Sequence, residues 1–186
     1  MIPERTLVVP SHSGPSDRPS PGQYFCIYYH KRSFVQKCIQ IVTGSDCTHV
    51  GIVGRQLDDG DFVIYEASFS QGFRKARLSR YEEIADVSFS SFELEEMNVR
   101  DILTAAYSYV GIPYSYGAIA ALLLSARGFC PEWVFKKLAS PSHLICSEAV
   151  AKAYLVADLS LIAGLDVSRT TPGDLARLLE GDDVRR

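Results

Sequence analysis

Residues 49 to 67 read His49-Val50-Gly51-Ile52-Val53-Gly54-Arg55-Gln56-Leu57-Asp58-Asp59-Gly60-Asp61-Phe62-Val63-Ile64-Tyr65-Glu66-Ala67. Two apolar runs, HVGIV and FVIYEA, flank an Asp-Asp-Gly-Asp turn, the pattern of a β-hairpin. Each run carries one polar residue that an apolar strand does not need. His49 opens the first, and Glu66 lies inside the second. A carboxylate in the middle of an apolar strand is rarely left unpaired. The short turn makes the strands neighbours, so Glu66 is expected to face His49 across the ladder. Each residue also has a plainer reading. His49 would serve as a satisfied strand-end histidine, and Glu66 as an edge carboxylate facing water.

Outward from the hairpin, the periodicity changes with position. Tyr24 to Tyr29 (YFCIYY) is aromatic and β-prone, a strand. Ser33 to Val42 spaces its apolar residues for a helix with one buried face, and Thr43 to Asp46 is a turn. Val87 to Leu94 alternates as a half-exposed strand should. Val99 to Val110 reads as a helix closed by Gly111 and Pro113. Helices are also expected at Tyr116 to Ala126, Glu132 to Leu138 and Cys146 to Leu155, with 128 to 142 a less regular connection. Thr171 and Pro172 are an N-cap and first-turn pair for a last short helix. Strands cluster early and helices late, so the fold class is α+β, a central antiparallel sheet packed against helices. Residues 1 to 20, rich in Ser, Pro and charge, read as a flexible arm, and 21 to 186 as one domain.

Bulk properties exclude several functions. Nineteen Lys and Arg against 22 Asp and Glu give a formal charge of −3, with no basic stripe for nucleic acid. The longest apolar run, Ala118 to Leu124, is far too short to span a bilayer, and Pro10 interrupts the only apolar N-terminal triplet, Leu7-Val8-Val9. The expected location is therefore the cytoplasm, or wherever a phage particle or export machine delivers the protein. Five cysteines at 26, 38, 47, 130 and 146 include no C-x-x-C pair and suggest reduced thiols. Cys47-Thr48-His49 has no second ligand pair beside it, so neither metal nor cofactor is expected.

One further stretch bears on chemistry, His143-Leu144-Ile145-Cys146-Ser147-Glu148-Ala149-Val150. It places a thiol where an apolar run turns into a helix. Unpaired N–H groups and the positive dipole end favour a thiolate there and can hold an oxyanion. Locally, a small buried hydrophobe explains Cys146 equally well. A thiolate nucleophile needs a base with an orienting partner. His12 lies in the arm, His30 beside Lys31 and Arg32, and His143 in a loop, which leaves His49 with Glu66.

Taken together, these motifs resemble the NlpC-type cysteine peptidases of cell walls, which have a papain-like fold. That family carries a G-x-P-Y-x-x-G segment, a D-C-S segment at a helix start, and an H-V-G-I strand. Gly111-Ile112-Pro113-Tyr114-Ser115-Tyr116-Gly117, Ile145-Cys146-Ser147 and His49-Val50-Gly51-Ile52 are the counterparts. Here the histidine precedes the cysteine by 97 positions (146 − 49). That order resembles the circularly permuted branch of YiiX and YebB type. Pro21-Gly22-Gln23 opens it, Thr43 to Ile52 carries the histidine, and Thr171-Pro172-Gly173-Asp174-Leu175 closes it. Gln23 departs from the acidic residue usual there, and the segment between Gly117 and Cys146 is long.

The resemblance implies Cys146 as nucleophile, His49 as general base and Glu66 as its orienter, with Tyr114 positioning substrate or donating to the oxyanion. It implies a thiol hydrolase cleaving an amide through a thioester, with a peptidoglycan-type peptide as substrate. A lipid acyl hydrolase or acyltransferase is the alternative, with Ile119 to Leu124 as an acyl groove. A non-catalytic binding module is the other.

Overall fold

The computed structural model describes residues 19–91, 94–125, 131–138, 142–159, 162 and 165–180. Nearly all of the expected arm, with His12, and much of the connection before Cys146 lie outside the described residues. Among the described residues, five strands and six α-helices make the α+β architecture expected: β1 (Tyr24–Tyr29), α1 (Phe34–Thr43), β2 (His49–Gln56), β3 (Phe62–Ser68), β4 (Gly72–Arg77), β5 (Ala85–Phe89), α2 (Glu96–Ser108), α3 (Tyr116–Ser125), α4 (Glu132–Leu138), α5 (Cys146–Val156) and α6 (Pro172–Glu180). A short 3₁₀ turn, Leu78–Tyr81, follows β4. The sheet runs β4-β3-β2-β1-β5 and every pairing is antiparallel.

Strand alternation divides the core in two. Tyr24, Cys26, Val50, Ile52 and Ala67 turn toward the helices and pack with Ile102, Ala149, Val150, Ala153 and Leu175. Phe25, Ile27, Val53 and Ile64 turn the other way, beneath Tyr81, Ala85 and Phe89. α5 crosses β2 and β3 and packs on α2. Its small residues, Ala149, Ala151 and Ala153, are fully buried and bring the helix close to the sheet. None of the described helices is long and apolar enough to cross a membrane.

Local chemistry sets the boundaries. Ser33 caps α1 in a reciprocal box with Gln36, and Gly44 closes it at φ 63. Thr171 and Asp174 cap α6 reciprocally, as Thr171 Oγ1 accepts from Asp174 N at 3.2 Å and Asp174 Oδ2 from Thr171 N at 2.9 Å. Three boundaries differ from expectation. β2 runs on to Gln56 rather than ending at Val53. α2 begins at Glu96 rather than Val99, because its first turn is polar and Glu95 makes no side-chain cap. β5 is Ala85–Phe89 rather than 87 to 94, ending where pairing with Phe25 ends.

Candidate active site

His49, Glu66, Cys146 and Tyr114 come from four separate parts of the chain. β2 and β3 pair in a register that sets Glu66 opposite Gly51, not opposite His49. The His49 ring therefore reaches Glu66 diagonally, with Nε2 3.0 Å from Oε2. Diagonal neighbours lie within reach of long side chains, and Gly51 places no side chain between them. Its missing Cβ also makes room for Phe25, whose ring would lie 2.5 Å from it. The Cys146 thiol is near enough to help raise the pKa of the imidazole. With Nε2 turned to Glu66, Nδ1 is the nitrogen left for the sulfur.

Glu66 is the most enclosed charge in this cluster, 1% exposed. Its Oε1 accepts from Arg74 Nε at 3.0 Å and Nη2 at 2.8 Å, and from Arg80 Nη1 at 3.4 Å. Its Oε2 accepts from the Tyr81 hydroxyl as well as facing His49. Burial alone would push the carboxyl up, but hydrogen bonds from His49, Tyr81 and Arg74 hold it at about 2. Burial works against the His49 imidazolium, yet contacts with Cys146 and Glu66 outweigh it and raise the ring well above 6.5. The site thus favours a charged imidazole fixed by an ionised carboxylate.

Cys146 is the first residue of α5 and is 4% exposed. Ile145, the N-cap, supplies no side-chain cap, so the first N–H groups of the helix are uncapped by side chains. Ser147 anchors this turn by donating to Thr170 O at 2.6 Å. Glu148 is paired along the helix with Lys152 at 2.8 Å. Tyr114 is carried in by a parallel bridge to Leu144, with Ser115 N donating to Leu144 O and Leu144 N to Pro113 O. The Tyr114 hydroxyl keeps its proton far above pH 10, through burial first and then nearby Cys146. The Phe69 ring stacks on it at 4.6 Å.

The expected four residues therefore meet at one place. His30 pairs instead with Asp86 at 3.3 Å, and His143 with Ser142 at 3.1 Å. Arg74, Arg80 and Tyr81 complete the cluster and are not evident from the sequence reading. They lie in the stretch Gly72 to Tyr81, where β4 pairs with β3 and sets Arg74 opposite Glu66. Among the described residues, no group of three His, Cys, Asp or Glu is placed to hold a metal ion. Glu66 is a poor metal donor here, because both oxygens already face cations or a hydroxyl donor.

Two cavities adjoin the site. One, about 160 Å³, is walled by His49, Glu66, Arg74, Arg80, Tyr81 and Thr48 among others. The other, about 20 Å³ and apolar, lies between α1, α3 and Cys146, with Ile39, Val42, Ile119, Leu122 and Leu123 in its wall.

No protein-family model matches the chain. Its structure resembles the crystal structure of the metalloprotein YiiX from Escherichia coli O157:H7, with TM-score 0.54 and 21% identity, over 75% of this chain and 66% of that one. The likeness is one of fold, and it agrees with a papain-like α+β architecture. In sequence, 70 residues are 30% identical to the UDP-N-acetylmuramoyl-L-alanyl-D-glutamate–L-lysine ligase of Streptococcus pneumoniae serotype 4, and 29% identical to that of serotype 2. That match takes in 38% of this chain but only 14% of the ligase.

Proposed function

We propose that the protein is a thiol hydrolase of papain-like type, acting on an amide bond of a peptidoglycan-type peptide. The observation that carries this reading is the Glu66–His49–Cys146 cluster, with His49 Nε2 held 3.0 Å from Glu66 Oε2 and Cys146 near enough to raise the ring's pKa. Nδ1 of His49 takes the Cys146 proton, and the thiolate attacks the acyl carbon. N–H groups at the start of α5 hold the oxyanion, and Tyr114 supports it or positions the substrate. The imidazolium gives its proton to the leaving amine as the C–N bond breaks. Water, deprotonated by His49, then hydrolyses the thioester and restores the thiol. The base and the oxyanion site each supply about 10²- to 10³-fold in rate.

The larger of the two cavities is polar and touches His49, which favours a polar substrate, while Cys146 itself lines the smaller, apolar one. The apolar pocket of about 20 Å³ holds little more than one water-sized group, whereas the polar cleft is about 160 Å³. Similarity to a ligase named for a muramoyl peptide supports a wall peptide. The lipid acyl reading keeps one observation in its favour, the apolar lining of the pocket directly at Cys146.

The test is iodoacetamide labelling followed by mass spectrometry. Cys146 is expected to label near pH 6 faster than Cys26, Cys38 and Cys47, and at least tenfold more slowly in His49→Ala. Slow labelling of Cys146 in both proteins would overturn the reading and leave a binding module. Amine release from purified sacculi, against fatty-acid release from vesicles, then separates the two substrates.

A further inference from the structure

The catalytic relay uses one carboxylate, yet two guanidinium groups converge on it. Arg74 already satisfies Glu66 Oε1 with two short hydrogen bonds. Arg80 adds only a 3.4 Å approach through one nitrogen, and its side chain is 43% exposed. Orienting His49 does not require this second arginine. Glu66 is the only acidic side chain in the wall of the polar cleft, so the lining carries one positive charge in excess, and two when His49 is protonated. The neutral polar groups there are donors too: Gln36, Ser68, Tyr29 and Thr48. An excess of cations and a spare planar fork around about 160 Å³ is the chemistry of an oxyanion receptor.

We propose that this cleft is a substrate subsite in which Arg80, with the outer edge of Arg74, binds an anionic group of the substrate, a carboxylate or a phosphate. The inference rests on the thiol-hydrolase reading and adds a substrate requirement to it: a negative charge on the His49 side of the bond that is cut. The guanidinium of Arg80 holds the anion bidentately, while Glu66 keeps that guanidinium from swinging away. Arg80 is a specificity determinant rather than part of the relay.

Three thiol probes with a common iodoacetyl warhead test it: N-iodoacetyl-β-alanine, its neutral amide, and N-iodoacetyl-aminoethylphosphonate. The readout is the Cys146 labelling rate of each anionic probe divided by that of the neutral amide. Wild type is expected to prefer at least one anion by fivefold or more. Arg80→Gln is expected to bring that ratio close to one, and Arg80→Lys to restore part of it. Arg77→Gln removes an equal charge outside the cleft and is expected to keep the ratio. The carboxylate and phosphonate arms show which anion the cleft takes. A ratio of one in wild type, or the same drop in Arg77→Gln as in Arg80→Gln, would overturn the subsite alone. Failure of the neutral amide to label Cys146 faster than the other described cysteines would overturn the hydrolase reading, and the subsite with it.

Discussion

At the scale of single residues, Glu66 carries more of the site than its role as a third group suggests. It accepts from an imidazole, two guanidinium groups and a phenol while 1% exposed. Glu66→Gln keeps the size but removes the charge that holds the imidazolium. The expected result is a His49 pKa lower than in wild type, read by NMR, and labelling of Cys146 that slows on the alkaline side of pH 6.5. Unchanged titration would show that the Cys146 thiolate, not Glu66, sets the ring's charge. The pairing of Glu66 with His49 was legible because a carboxylate inside FVIYEA needs a cation or a donor. Its company was not. Tyr81 and Arg80 come from a 3₁₀ turn whose sequence, LSRY, has no periodicity to place it.

Among the elements, β4 was the one unread. Only Phe73 and Gly72 of its six residues are buried, so no apolar run announces it. Strand segments buried on both faces, the first four residues of β1 and the first five of β2, were read correctly because continuous burial leaves a continuous apolar run. The helix carrying Cys146 was legible at its first residue, since the thiol follows an extended apolar stretch and precedes an alanine-rich one. β4 also fixes the loop that brings Tyr114 to the site. Phe73 N donates to Ile112 O at 2.8 Å, and Gly111 N to Phe73 O at 2.8 Å. Gly72 stands at φ 69, and a Cβ there would lie 2.4 Å from Ile112 O, whereas Gly60 at φ 90 faces open space. Gly72→Ala is therefore expected to cost at least about 2 kcal/mol in urea unfolding, clearly more than Gly60→Ala at about 1 kcal/mol. Equal losses would mean that the loop moves aside freely.

For the whole molecule, the two perturbed groups of the relay set a stability profile with pH. Glu66 folds from an ordinary value of 4.5 to about 2, so its contribution is present above pH 4.5 and is lost as pH falls toward 2. Each pKa unit is worth 1.36 kcal/mol, which makes that loss roughly 3 kcal/mol. His49 is raised above 6.5 in the folded state, so its contribution is full below pH 6.5 and is lost as pH rises through the folded value. Thermal stability is expected to peak between pH 4.5 and 6.5, with the acid-side loss smaller in Glu66→Gln. An acid limb of equal size in that variant would assign it to other carboxylates.

The last helices also bond back to β1, the residues just before it and the end of α1. Tyr24 donates to Leu175 O at 2.9 Å, Tyr154 to Gly22 O at 2.7 Å, and Arg177 to Thr43 O at 2.6 Å. A ribosome makes Gly22, Tyr24 and Thr43 more than a hundred residues before their partners. While the chain is being made, the early hairpin holds His49 and Glu66 but neither Cys146 nor these long-range bonds. Under the proposed hydrolase reading, synthesis order keeps the growing polypeptide chemically silent until α5 and α6 have emerged and docked.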